Sequence, residues 1–316
     1  MIETIDVVSA FVQPMYANIG LLPFEFQQDH PESKLTSFSG LPLYLEMALA
    51  SGLDKKIQET LVTKAQGWRD VQIIISLICL NLAGGTSVDD IDRMEKDPGF
   101  RALLLKIETH GMRRKERREY ERRWRKQKQR ALPSSSVIRR YLAQFHHADE
   151  EAHREPGKAF IPANNVLLNQ LVSLNQVFIN FAQEKNPSKV ATLDQDATLC
   201  ETYKATALYS YKKFKAYQPF NTYWYEQGLI IHSEFRDGNV PAGFEQKRLL
   251  EASLDSLPAG VNEVYLRSDS AGYQQDLLTY CAEGHNERFG VIKFAIAAPV
   301  NSAFKTAVLE LSLIHI

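Results

Sequence analysis

The sequence predicts an α+β protein with a helical first half and a mixed sheet flanked by helices in its second half. Apolar residues recur at helical spacing before Pro187, as at Leu167, Leu171 and Leu174. After Pro187 the period changes, and short β-branched or aromatic runs follow in the order strand, strand, strand, helix, strand, helix, strand. Three early strands followed by alternating helices and strands are typical of a mixed sheet with helices on its faces.

Helix boundaries in the first half follow from capping residues and breakers. Pro42 suits the first turn of a helix that starts at Leu41, because proline lacks only an N–H that has no partner there. Gly84-Gly85 should end an apolar helix that begins at Trp68, and Ser87 should cap the next helix. Further helices are expected over 113–130, 137–146 and 167–181, with loops over 1–40 and 150–163.

The second half is read from its period-two runs and its turn residues. Strands are expected over 190–198, 209–224, 229–235, 264–269 and 289–297, and helices over 244–256 and 273–281.

Composition indicates a soluble globular protein without secretion or membrane signals. Of its 316 residues, 44% are hydrophobic and 24% are charged. The three cysteines are far apart and form no CxxC pair, which favours a reducing, cytoplasmic location. The start of the chain has no signal-peptide pattern. The most apolar run, 73–83, is shorter than the roughly 20 residues that a membrane helix needs, so no membrane partner is expected.

One segment is strongly basic although the formal net charge is only -1. Residues 113–130 contain eleven Lys or Arg and three Glu, which favours contact with phosphates over a merely solvated helix. The alternative is a surface helix with Glu–Arg pairs at i,i+4. The candidate DNA contacts in this segment are Arg113, Arg114, Arg117, Arg118, Arg122, Arg123, Arg125 and Lys126.

Three aspartates at strand positions are candidates for a metal site. Asp194 and Asp196 are two residues apart on one predicted strand, so both side chains face the same way. Asp269 ends another predicted strand and can share a metal with Asp196 if the two strands are neighbours. Mg²⁺ prefers such oxygen ligands. The alternative is that Asp269 caps the helix that follows.

Four segments resemble the successive motifs of DDE-class insertion-sequence transposases, in the branch whose first motif reads Leu-Asp-x-Asp-Ala-Thr. They are TLDQDAT (192–198), YKKFKAYQPF (211–220), FRDGN (235–239) and LRSDSAGY (266–273). The resemblance is good over 190–300 and weaker over GLPLYLEMALASGL (40–53) and the stretch with Arg93 and Asp97-Pro98. It implies a ribonuclease-H-like catalytic domain and a DNA transposase.

The resemblance also implies roles for particular residues. Asp196 and Asp269 match the first and second catalytic carboxylates and would bind Mg²⁺ or Mn²⁺, with Asp194 as a further candidate ligand. The third carboxylate of the family is a Glu on a later helix, and no segment of this chain matches it. Such enzymes hydrolyse a phosphodiester bond with water and then let the freed 3′-hydroxyl attack target DNA.

The expected organisation follows from these readings. Residues 1–110 should form a mostly helical domain that binds DNA ends, 111–186 a basic helix and helical connector, and 187–310 a partial, C-terminally incomplete ribonuclease-H-like domain. Residues 311–316 look like translated sequencing-adapter sequence and are expected to be a non-native tail. Lys213 and Lys215, in an aromatic-rich stretch, are further candidate DNA contacts.

The expected partners are the element's terminal repeats and target DNA, with a homodimer in the DNA complex and a location at the bacterial nucleoid. A truncated chain of this kind is expected to be inactive on its own. Two alternatives are a catalytically inactive DNA-binding fragment or inhibitor of transposition, and a ribonuclease-H-like nuclease with another role.

Overall fold

The computed structural model describes residues 35–61, 63, 67–110, 112–126 and 130–310, apart from the side chains of residues 123–126. The loops expected over residues 1–34 and the tail expected at 311–316 lie outside the described residues. The chain forms two compact units, Met1–His146 with Asn165–Leu174, and His147–Asn164 with Asn175–Ile316. The connector expected over 111–186 is thus divided between the two units.

The first unit is helical, as predicted. Asp97 begins one of its helices, because a carboxylate oxygen accepts a hydrogen bond from the Phe100 N–H at 2.8 Å and proline follows at the first helical position. Ile57, Ile73 and Phe100 are buried in its core. The helices are Leu41–Ala50 (α1), Leu53–Thr60 (α2), Asp70–Leu82 (α3), Ile91–Glu95 (α4), Pro98–Glu108 (α5), Arg114–Lys126 (α6) and Ser135–Leu142 (α7).

The second unit contains the sheet. Its strands are Val190–Ala197 (β1), Cys200–Glu201 (β2), Ala216–Tyr217 (β3), Phe220–Trp224 (β4), Leu229–Glu234 (β5), Glu263–Ser268 (β6) and Lys293–Ile296 (β7). Its helices are Ala148–Glu151 (α8), Gln246–Asp255 (α10), Gln275–Ala282 (α11) and Ser302–Glu310 (α12), while Val166–Lys185 (α9) contributes residues to both units.

The main sheet has the order β5-β4-β1-β6-β7. Strand β1 pairs antiparallel with β4 and parallel with β6, and β6 pairs parallel with β7. A mixed sheet with three antiparallel strands followed by two parallel ones, each reached through a helix, confirms the predicted ribonuclease-H-like α+β fold.

Alternation along β1 divides its side chains between two environments. Ala191 and Leu193 are fully buried in a core with Leu250, Leu254 and Leu277 from the helices. The intervening residues of β1, two of the candidate aspartates among them, point to the other face and remain partly or fully exposed. The strand therefore anchors its carboxylates from behind with apolar burial.

One expected strand was wrong. The aromatic stretch 209–224 is not continuous, because β3 and β4 are separated at Gln218 and Pro219, and the chain before β3 turns at Lys213 with a φ of 64°. Proline has no N–H to donate to a neighbouring strand, which favours an interruption at this point.

No helix within the described ranges is both long and apolar enough to cross a membrane.

Candidate active site

Two aspartates lie side by side at the carboxyl ends of neighbouring parallel strands. The β1–β6 ladder pairs Gln195 with Ser268, so the next residue on each strand is Asp196 and Asp269. Neighbouring strands lie about 4.8 Å apart, and residues in register on parallel strands project to the same face. The condition under which the sequence paired these two residues, adjacency of their strands, is confirmed.

Each of these carboxylates has one oxygen engaged and one available. Asp196 Oδ1 accepts from the Ala197 N–H at 2.8 Å, and Asp269 Oδ1 accepts from the Ala271 N–H at 2.9 Å. Asp269 thus caps the 3₁₀ turn Ser270–Gly272, and the capping alternative is confirmed without occupying the whole carboxylate. Among the described residues, no hydrogen-bond donor contacts the second oxygen of either side chain. Two oxygens on adjacent strands suit a hard divalent cation.

Asp194 lies on the same face of β1 but has a different partner. Both of its carboxylate oxygens accept hydrogen bonds from Arg267, at Nε and Nη2, in a bidentate ion pair. The guanidinium carbon of Arg267 also lies 4.9 Å from the centre of the Tyr225 ring. This pairing raises the pKa of Arg267 above its usual value, chiefly through the hydrogen bonds to Asp194. The arginine therefore neutralises Asp194 and leaves Asp196 as the uncompensated carboxylate of β1.

A buried polar network lies behind the two aspartates, and it was missed from the sequence. Gln195 donates from Nε2 to Thr222 Oγ1 at 3.3 Å, and Ser253 Oγ donates to the same oxygen at 2.9 Å. Ser268 Oγ donates to the Gln195 carbonyl at 3.3 Å and accepts from Gln246 Nε2 at 3.3 Å. The only available signal was a polar residue at an inward position of a strand, at Gln195 and at Thr222.

Close packing fixes the turn that carries Asp269. A Cβ on Gly272 would lie 2.7 Å from Ser268 Oγ, which is closer than real Cβ contacts allow. The glycine therefore lets the turn after β6 pack directly on the strand end, and this position holds Asp269 at the sheet edge.

The described residues contain no cluster of three or more His, Cys, Asp or Glu side chains placed to hold a metal ion. Within these ranges the site therefore offers the pair Asp196 and Asp269, in agreement with the sequence, which offered no third carboxylate.

The FRDGN segment forms a loop that is anchored through almost every side chain. Arg236 is fully buried and donates to Glu234 Oε1 and to the Phe244 carbonyl, each at 2.9 Å. Asp237 pairs with Arg154 at 2.8 Å. Burial raises the pKa of Asp237, while Arg154 opposes the shift. The role of this segment is therefore to hold the chain beside the sheet edge.

A hairpin leaves the sheet directly after Asp196. We call residues 200–217, which include β2 and β3, the tyrosine hairpin. Lys213 is exposed at its tip, whereas Lys215 Nζ donates to the Ala205 carbonyl at 2.7 Å. Of the two candidate lysines, the structure leaves Lys213 in solvent and engages Lys215 within the hairpin.

The basic block forms helix α6 in the first unit. Arg113 precedes this helix, and its N–H donates to Glu116 Oε2 at 3.0 Å, as expected for an N-terminal cap. The candidate side chains of Arg113, Arg114, Arg117, Arg118 and Arg122 are exposed, and none of them pairs with a carboxylate within the described ranges. The side chains of Arg123, Arg125 and Lys126 lie outside the described residues, as do the expected Glu119–Arg123 and Glu121–Arg125 pairs.

Comparison with known proteins gave one finding. Residues 27–313 match a family model described as transposase DDE domain group 1. The search of curated proteins gave no match. The search of solved structures gave none either.

Proposed function

The chain belongs to the transposase DDE domain group 1 family, and from this premise we propose that it cuts DNA at the ends of a mobile element and joins them to target DNA. In the proposed reaction, water hydrolyses a phosphodiester bond and the freed 3′-hydroxyl then attacks the target strand. The observation that carries the proposal is the register of β1 and β6, which sets Asp196 beside Asp269 at one edge of the sheet.

Asp196 and Asp269 fit a divalent metal by the chemistry of their donors. Each presents a carboxylate oxygen that no described donor contacts, and Mg²⁺ and Mn²⁺ favour such ligands. A bound ion of this kind supplies charge that activates an attacking oxygen and stabilises a leaving oxygen in phosphoryl transfer. Asp194 contributes by holding Arg267, so its expected role is to position the strand ends and not to bind the ion.

The exposed arginines of α6 supply the sequence-independent part of DNA binding in this proposal. Phosphate contacts position a protein on the duplex, while other contacts select the sequence. Joining two element ends requires two active sites, so a homodimer is expected in the complex with terminal repeats and target DNA. The proposed location follows the substrate, at the nucleoid in the cytoplasm.

A second candidate function is DNA binding without cleavage, in which the chain acts as an inhibitor of transposition. It is favoured by the exposed arginines of α6, which would bind duplex DNA whether or not the aspartates act. A third, a nuclease of the same fold with another role, would cleave without joining ends.

The test uses a plasmid that carries the genomic ends of the element, incubated with the protein and Mg²⁺ or Mn²⁺. Metal-dependent cleavage and strand transfer that are lost in Asp196→Asn and in Asp269→Asn, but retained in Asp194→Asn, are expected. Binding of the ends with no cleavage would support the second candidate, and cleavage without joined products the third.

A further inference from the structure

The tyrosine hairpin exposes several aromatic rings to solvent. The exposed fractions are 93% for Tyr203, 65% for Tyr209 and 72% for Tyr211. Scattered exposed aromatic residues need no explanation, but three within nine residues of one hairpin form a surface with the character of a binding site.

The hairpin is held firmly at its base, so these rings are presented on an ordered support. Ala216 donates its N–H to the Leu208 carbonyl at 3.1 Å, and Gly238 donates its N–H to the Ala216 carbonyl at 2.9 Å. The tip is closed by the Ser210 N–H, which donates to the Phe214 carbonyl at 2.8 Å. Preorganised rings lose little conformational freedom when they bind a ligand.

The same hairpin is positively charged. Residues 200–217 contain four lysines and one acidic residue, Glu201. Lys204 Nζ lies 5.7 Å from the centre of the Tyr217 ring, Lys212 Nζ lies 5.7 Å from the Tyr211 ring, and Lys215 Nζ lies 5.9 Å from the Tyr209 ring. Aromatic rings with adjacent cations match a chain of bases joined by phosphates.

The hairpin also lies close to the two aspartates along the chain. The Thr198 N–H donates to the Pro219 carbonyl at 3.0 Å, so both hairpin strands leave from the sheet edge where β1 ends. Tyr203 follows Asp196 by seven residues, which span at most about 25 Å when fully extended. With a rise of about 3.4 Å per nucleotide, this distance is on the order of seven nucleotides.

We infer that the tyrosine hairpin binds unpaired DNA bases near the cleavage point, by stacking Tyr209 and Tyr211 on the bases and placing its lysines against the phosphates. The hairpin selects single-stranded or unwound DNA over duplex, because paired bases cover their ring faces. This inference deepens the proposed function and rests on it for the position of the cleavage point.

The experiment measures fluorescence anisotropy of labelled oligothymidine of about 12 nucleotides, a length within the usual range for single-strand sites. A labelled duplex of the same length is measured in parallel. Tyr209→Ala and Tyr211→Ala should each weaken oligothymidine binding about tenfold, as expected for loss of one stacked base. Tyr209→Phe and Tyr211→Phe should bind like the wild type, and all four variants should bind duplex unchanged. Tyr44→Ala removes an exposed tyrosine of the helical unit and is the control.

Equal losses for oligothymidine and duplex, or no loss in the alanine variants, would overturn the inference. So would failure of the wild-type protein to bind oligothymidine. Metal-dependent cleavage of plasmid ends by the same variants is scored separately, so that cleavage with an inert hairpin refutes only the inference, and intact oligothymidine binding without cleavage refutes only the proposed reaction.

Discussion

Replacing Arg236 by Met should destabilise the sheet unit far more than replacing Arg248, although both arginines contact Glu234. The Arg236 side chain is fully buried, and its guanidinium carbon lies 4.8 Å from the centre of the Phe220 ring. The Arg248 side chain is 46% exposed and donates to Glu234 at 2.7 Å.

The magnitude follows from burial. Breaking a buried pair by removing one partner costs about 3–5 kcal/mol, because a charge and several hydrogen-bonding groups lose their partners. Glu234 keeps Arg248 in the Arg236→Met variant, which places the expected loss near the lower limit, about 3 kcal/mol. A half-exposed pair contributes only about 0–1 kcal/mol, so Arg248→Met should stay within that range.

The assay is urea unfolding followed by tryptophan fluorescence, to which Trp224 contributes from a fully buried position in β4. The free energy of unfolding is obtained from the midpoint and slope of the transition assigned to the sheet unit. A loss below about 1 kcal/mol for Arg236→Met, or losses that are the same for both arginines, would refute the argument from burial.

Three further predictions test the hairpin support, a buried histidine and the basic helix. Gly238→Ala should raise protease cleavage within the tyrosine hairpin and cost about 1–3 kcal/mol, because its Cβ would lie 2.5 Å from the Ala216 carbonyl oxygen; unchanged cleavage and stability would contradict this. Burial lowers the pKa of His232 below its usual value, with Glu234 opposing the shift, so the folded state binds a proton less readily than the unfolded state. Stability should therefore fall as the pH drops below about 6.5, and His232→Asn should reduce that fall in urea unfolding; an identical pH profile would count against it. Glutamine at four exposed arginines of α6 should flatten the salt dependence of duplex binding by about 0.9 in log–log slope per lost phosphate contact, and an unchanged slope would mark α6 as a solvated helix; the four are Arg114, Arg117, Arg118 and Arg122.

Much of the sheet was predictable from the sequence because its strands carry a period-two pattern between clear breakers. Strand β1 was expected over 190–198 and forms Val190–Ala197, and the later alternation of helix and strand is confirmed. The aromatic stretch before Trp224 was misread as one strand, since β-favouring residues also occur in a hairpin whose turn, at Lys213, uses no glycine. The sequence signal for that turn was therefore weak.

The site was predictable only in part. The pairing of Asp196 with Asp269 depended on strand adjacency, which composition does not reveal and the β1–β6 register supplies. The bond from Arg267 to Asp194 joins residues 73 positions apart, and that from Gln195 to Thr222 joins residues 27 apart. Such contacts arise from the sheet order, so no local pattern could predict them.

The most direct test of the central claim is a calorimetric titration of Mn²⁺ into the wild-type protein, Asp196→Asn, Asp269→Asn and Asp194→Asn. If Asp196 and Asp269 hold one ion together, each of their variants should weaken binding more than about tenfold, since even a changed outer partner of a metal ligand costs about 10–100-fold. Asp194→Asn should have the smallest effect, because the carboxylate of Asp194 is already paired with Arg267. Equal Mn²⁺ affinity in all four proteins would contradict the assignment of the metal site to this pair.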